Sequence, residues 1–349
     1  MLMPTMEAEP SEMWMRLARS SKPSERELRE ALLKEPVPPD VRPDLWLKHS
    51  GAFRVSKRGV YAELLNSPER SQGEHAQIEL DIGRSGVHDE EQQSSLRRVL
   101  RAYSTYRTST GYVQGQNFIA AGLLRALPEE EAFWMLVVVV DKYLPEHFTH
   151  AMAGSFIDCR VLAELLARRL PDVSNHLAEL DVSVQLLATR WFLSLWSSVL
   201  PPPTLLRVYD ALFTLGPPTT LLVALACFHV MRPAILAAQH ADELAFSTIS
   251  APLREAEPEC LLGALLHDVG ALTPRELERM RAKMRKDLQP AIPYPALAKR
   301  ATLTASLQHE IRRMFKRPSV AVHLALAGTL RAGKASLKRV ANLFRMRLT

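Results

Sequence analysis

Ile78-Glu79-Leu80-Asp81-Ile82-Gly83-Arg84 and, further along, Tyr112-Val113-Gln114-Gly115-Gln116-Asn117 are the two clusters on which this chain turns. The first offers a cation three residues from a carboxylate, a spacing that puts both side chains on one face if the segment is helical. The second offers an amide just after a turn marked by Gly111. Neither contains a nucleophile, a metal-ligand set or a cofactor loop. Taken alone, each has a plain reading, a surface ion pair and a helix start. A guanidinium and a carboxamide nevertheless suffice for phosphoryl transfer when a partner brings the substrate. The guanidinium neutralises developing charge and the amide orients the attacking water.

Outward from these clusters the periodicity is helical. Leu96, Val99, Leu100 and Tyr103 fall on one face, with Arg97, Arg98 and Arg101 beside it. Leu162, Leu165, Leu166 and Leu170 repeat the pattern, as do Leu187, Trp191, Leu195 and Val199. Alternating strands are absent, and Pro128, Pro145, Pro171, Pro201–Pro203 and Pro217–Pro218 punctuate the helical stretches. The expected class is all-α. Ser24-Glu25-Arg26-Glu27 and Thr273-Pro274-Arg275-Glu276 read as capping boxes. The second opens a helix with Leu277, Met280, Met284 and Leu288 on one side, and Pro290, Pro293 and Pro295 then make a stiff linker.

The 349 residues, 47% apolar and 23% charged, describe a globular chain with length enough for a large core. Charge is divided unevenly. Residues 271–349 hold 18 Lys and Arg against 4 Asp and Glu, whereas residues 1–270 hold 26 against 34. An acidic body with a basic tail implies two jobs on one chain. Cys159, Cys227 and Cys260 are odd in number and widely spaced, so the expectation is a reducing compartment with no disulfide framework. The first twenty residues lack the apolar core of a signal peptide. The apolar runs Ala132–Val140 and Leu221–Phe228 are too short to span a bilayer and read as buried helices of a soluble chain.

The surroundings of the two clusters resemble the TBC-domain Rab GTPase-activating proteins. The IxxDxxR and YxQ signatures of that family stand here as IELDIGR and YVQGQN. Val41-Arg42-Pro43-Asp44-Leu45-Trp46 is similar to the family's opening stretch, and Leu96 to Gly111 to the helix and turn that lead into YxQ. Leu170 to Leu180, then Ala188 to Gly216 with Trp191-Phe192-Leu193, Leu200-Pro201 and Val208-Tyr209-Asp210, are similar to the third block. The likeness covers about residues 36–270 in five ordered blocks.

The resemblance implies a multi-helix TBC (Rab-GAP) domain at 36–270. An N-terminal extension, partly helical, occupies 1–35, and a basic helical C-terminal tail 271–349, with its Pro-rich linker at 289–295. It implies that Arg84 is an arginine finger and Gln114 a glutamine finger, supported by Asp81, Tyr112 and Asn117. Both would be supplied in trans to a GTP-bound Rab-type small GTPase. The chain would then have no hydrolase activity of its own and need no cofactor, since GTP and Mg²⁺ belong to the partner. The setting would be vesicle trafficking and intracellular protein transport, in the cytoplasm and peripherally on endomembranes. Two positions depart from the family pattern. Ser85 follows the finger in place of threonine but keeps the hydroxyl. Gln116 stands where methionine is common, which is expected to alter packing or the choice of GTPase.

Other motifs are set aside. Gly328 to Lys334 matches most of a Walker A loop, but Ala335 occupies the Mg²⁺-ligating position, so it reads as a helix boundary. His267-Asp268 lacks a companion histidine cluster. His147 and His150 are expected on a partly exposed loop, and Trp134, Trp191 and Trp196 in the core. In the tail, Leu307, Ile311, Met314 and Phe315 face Arg312, Arg313, Lys316 and Arg317. Leu337, Val340, Ala341, Phe344 and Leu348 are flanked by Lys334, Lys338, Arg339, Arg345 and Arg347. Such helices suit an anionic membrane surface, or they pack on the acidic body; nucleic acid fits less well, because no recognised module is present. A second functional reading is therefore a non-catalytic Rab-binding adaptor tethered to membrane by this tail, and a third a lipid- or nucleic-acid-binding tail protein with a vestigial body.

Overall fold

Prolines mark where the helices begin. Pro43, Pro171, Pro202, Pro258 and Pro274 each sit in a first helical turn, where a missing N–H leaves no hydrogen bond unmade. The computed structural model describes residues 12–20, 23–67, 72–149, 152–244 and 250–288. Among the described residues every regular element is helical and no strand occurs, as the periodicity required. Ser24 and Glu27 form the full capping box that opens helix Glu25–Lys34. Thr273 Oγ1 accepts the Glu276 N–H at 3.2 Å to open helix Pro274–Leu288.

Both apolar runs are core. Every residue from Ala132 to Val140 and from Leu221 to Phe228 is buried. Val137 to Val140 are poor helix formers, each costing up to about 0.7 kcal/mol, but burying such a side chain contributes about 1.5–3 kcal/mol. Burial wins, and helix Glu129–Val138 relaxes into a π-turn at Val139–Tyr143. The second run lies in helix Thr219–Ala237, longer than the run itself and by length and composition able to cross a membrane. Here it is a central helix, packed by helices Ala153–Arg169, Pro171–Glu179 and Pro202–Leu215. One periodic face departs from expectation. The Leu187–Val199 stripe is not one helix, because helix Val184–Ser194 stops at Leu195 and Trp196, both left-handed at φ 45° and 61°.

Blocks far apart in sequence meet at Asp210. Arg42 donates through Nε and Nη2 to its two carboxylate oxygens at 2.8 and 3.1 Å, and Trp46 Nε1 donates to Oδ1 at 2.9 Å. Burial raises the pKa of this carboxyl, and the Arg42 fork and the indole work against that rise. Removing one partner strands a buried charge, which costs about 3–5 kcal/mol. Asp210→Ala is therefore expected to lower unfolding stability by that order, read from the urea midpoint; a change under about 1 kcal/mol would mean the pair adds little.

The expected boundaries at 35 and 270 fall inside packed structure. Trp14 and Leu17 of helix Glu12–Arg19 are buried, and Arg207 donates to the carbonyls of Leu32 and Glu35. At the other end, Leu277, Met280 and Met284 bury one face of helix Pro274–Leu288 on helix Ala153–Arg169. These flanking helices carry apolar faces but no motif, and they pack on the 36–270 stretch. The Pro-rich linker at 289–295, the Walker-like stretch, both amphipathic tail segments and His150 lie outside the described residues.

Candidate functional site

Glu79 sets the helix that carries the first cluster. Arg97 of helix Glu90–Tyr106 grips both its oxygens at 2.7 and 3.0 Å, and Arg101 adds a contact at 3.2 Å. The Arg97 fork holds the Glu79 carboxyl below its usual pKa. Helix Gln72–Ile82 then ends in two tight turns, Arg84 N–H to Asp81 O at 3.1 Å and Ser85 N–H to Ile82 O at 3.0 Å. Arg84 thus stands at a helix C-terminus, where the helix dipole favours a cation.

Asp81 lies beneath it, with its side chain 1% exposed. Its Oδ2 accepts from Gln77 Nε2 and from the Tyr112 hydroxyl, each at 2.9 Å. Burial, with Asp81 next to it, pushes the Tyr112 hydroxyl well above its ordinary pKa, so it stays a donor. Arg84 Nη2 is 3.6 Å from Asp81 Oδ1, an ionic contact too long for a hydrogen bond. Its Nη1 is buried without a partner, while the side chain as a whole remains 28% exposed. The guanidinium is held in place but not saturated.

The second cluster is stitched to the first. Gly111, left-handed at φ 62°, ends the turn after helix Glu90–Tyr106. Asn117, in the first turn of helix Gln116–Leu123, donates to Asp81 O at 3.2 Å and to Ser85 Oγ at 2.9 Å. Ser85 Oγ in turn donates to Asp81 O at 2.7 Å. Asn117 Oδ1 accepts the Gly115 N–H at 3.0 Å, and Gln116 Oε1 accepts the Val113 N–H at 3.1 Å. Gln114, half-buried, takes part in none of these bonds. Two loops are fixed to one buried aspartate, and each carries one long polar side chain that remains partly exposed.

Gly115 has to be glycine. Its φ is 112°, and a Cβ there would lie 2.6 Å from Leu193 O and 3.3 Å from Phe148 Cε1. Leu193 leads into the strained turn at Leu195 and Trp196, held by the Tyr209 hydroxyl on Leu195 O at 3.0 Å. Gly115→Ala is expected to cost about 1–3 kcal/mol in unfolding stability and to displace Gln114. Denaturant melts that match the wild type, with an unshifted Gln114 resonance, would refute it.

The Rab-GTPase-TBC domain family model matches residues 39–236. The chain belongs to this family. It is 32% identical over 282 residues to human Small G protein signaling modulator 3, covering 77% of this chain and 37% of that protein. It is 34% identical over 270 residues to TBC1 domain family member 2A of Rattus norvegicus, covering 74% and 29%. The chain thus spans well under half the length of these curated relatives. The crystallised Chlamydomonas flagellar RabGAP TBC domain is 30% identical with a TM-score of 0.63, covering 73% of this chain and 88% of that one. The Ypt/Rab-GAP domain of Gyp1p, at 18% identity and a TM-score of 0.57, shares the fold and covers 77% and 98%.

Within this TBC domain the sequence-marked residues come together: Asp81, Arg84, Tyr112 and Asn117 form one network, with Gln114 on the loop it anchors. One position needs correction: His147, expected partly exposed, is fully buried. Gln116 is wholly buried and fixes the Val113 amide, which favours packing among the two effects expected of it. Ser85, its hydroxyl kept, is a buried junction of the network. Gln77 and Phe148 carried no sequence signal; Gln77 lies one helical turn before Asp81, a spacing that marks it only once the helix is known. Among the described residues no group of three or more His, Cys, Asp or Glu could hold a metal. Burial pushes the Cys159 thiol up to about 12, which leaves it unsuited as a nucleophile.

Proposed function

We propose that this TBC domain accelerates GTP hydrolysis on a Rab-type small GTPase, inserting Arg84 and Gln114 into the partner's nucleotide site. The observation that carries the reading is the shared anchor. Arg84 and the loop of Gln114 are both referenced to Asp81, through Tyr112 and Asn117, so the two side chains keep a common frame while remaining partly exposed. Arg84 would sit against the phosphate oxygens that gain charge as the bond to the γ-phosphoryl group breaks, and Gln114 would orient the attacking water. GTP and Mg²⁺ are the partner's, and the chain would act in the cytoplasm or at an endomembrane surface.

The test is GTP hydrolysis across a full panel of Rab GTPases. Acceleration of one member or a few is expected. Tight binding to a GTP-loaded member with no acceleration of any would replace this reading with that of an adaptor.

A further inference from the structure

The loop behind Gly115 is itself held from the far end of the chain. Arg281, on helix Pro274–Leu288 and beyond the residues the family model matches, donates through Nε to Asp158 Oδ1 at 2.8 Å and through Nη2 to Oδ2 at 2.7 Å. Both side chains are sealed from solvent, 3% and 1% exposed. Across the same carboxylate, His147 Nε2 lies 3.6 Å from Oδ2, and its ring meets Phe192 edge-on at 5.8 Å. The His147 Nδ1 is 3.1 Å from Pro145 O.

A second grip comes from the same helix, Arg285 Nη2 to Glu146 Oε1 at 2.6 Å. The loop has no slack on its other side. Gly154 N–H bonds Glu146 O at 3.2 Å, and a Cβ on Gly154 would lie 1.9 Å from Pro145 O. Glu146 and Met152 are both left-handed, at φ 63° and 48°. The residue after His147 is Phe148, whose ring lies against Gly115. Arg281, Asp158, His147, Phe148 and Gly115 thus form an unbroken line of buried contacts that ends next to Gln114.

We propose that Arg281 is a positioning residue for Gln114: clamped on Asp158, it presses the 144–149 loop inward so that Phe148 fixes Gly115 and, with it, the direction of the neighbouring glutamine. The kinetic part rests on the GTPase-activating reading above; the mechanical part does not. The physical reason is packing density. A close-packed line transmits a displacement because it has no void to absorb it, and changes along such a line typically alter a coupled site by about 2- to 30-fold.

The test uses the full chain with Asp158→Asn and Arg281→Met together, which removes both buried charges at once and strands neither. Amide exchange at Val113, Gly115 and Gln116 should quicken by about 2- to 30-fold, while Leu221–Phe228 stays as protected as before. Stimulated hydrolysis at saturating GTPase should fall by a similar factor, with affinity for the GTPase unchanged. In a Gln114→Ala background the same double substitution should cost nothing more, because two changes acting through one group do not add. Equal loss in both backgrounds, or unaltered exchange at 113–116, would overturn the proposal. If the wild-type chain stimulates no GTPase, the functional reading fails and the exchange data alone decide the positioning. If the buried double variant does not fold, the exposed Arg285→Gln variant decides instead. It should speed exchange at the same three amides to a smaller degree, and no change there would overturn the proposal.

Discussion

Arg84→Ala is expected to lower stimulation of GTP hydrolysis by about 10³–10⁵-fold, the range over which an arginine finger acts. The mechanism is electrostatic: charge spreads over the transferring phosphoryl oxygens, and a guanidinium in a water-excluded site meets it without reorganisation. Arg84→Lys should fail nearly as badly, since an ammonium is a point charge and cannot bridge two oxygens as the planar fork does. Binding to the GTPase should survive, because a side chain that is 28% exposed adds little interface. The fold should survive too. Asp81 keeps its bonds from Gln77 and Tyr112 on Oδ2, while its buried Oδ1 loses the 3.6 Å ionic contact, a cost between the about 1 kcal/mol of a surface pair and the about 3 kcal/mol of a buried one. The decisive measurement is single-turnover hydrolysis with protein in excess, alongside a urea melt. A variant that retains stimulation removes Arg84 from the chemistry; one that melts early leaves the loss to misfolding.

Gln114→Ala is the second large effect, on the order of 10²–10³-fold, comparable to removing one well-placed polar group from a transition-state site. The reasoning is geometric. Gln114 bonds to none of the groups that build its loop, so truncating this half-buried side chain removes a donor and an acceptor without breaking a bond that sets the loop. The Gly115–Asn117 and Val113–Gln116 bonds that set the backbone remain. Gln114→Glu is nearly isosteric and should be no better, because a carboxylate would face phosphate oxygens of the same sign. Single-turnover rates on the responsive GTPase check both variants. Stimulation persisting in Gln114→Ala at wild-type level would return the water-orienting role to the GTPase's own residues.

Much of this site was legible in the sequence because its residues are local. Asp81 and Arg84 are three apart across a helix end, and Tyr112 to Asn117 form one continuous stretch after a turn, so short separations carry the geometry. The all-α class was equally legible, since Leu96, Val99, Leu100 and Tyr103 repeat at helical spacing and all four are buried. Gln116 shows what position alone leaves open: between altered packing and an altered choice of GTPase, its burial and its bond to the loop's own backbone favour packing. His147 was misplaced outright, as nothing in the residues around Pro145 announces that Arg285, 139 positions on, will bond Glu146 there.

What the sequence by itself determined is which side chains are available: an arginine three residues after an aspartate, a glutamine after a turn, a helical body and a buried apolar run. Such information lies in residue identity at short separations, where chain geometry leaves few alternatives. The tertiary structure alone decided that the clusters share one aspartate, that Arg42 and Trp46 close on Asp210, and that Arg281 closes on Asp158. These contacts join residues 31 to 168 positions apart. No local spacing encodes them; they form only when burying the apolar faces of many helices at once brings the polar groups between them within bonding distance.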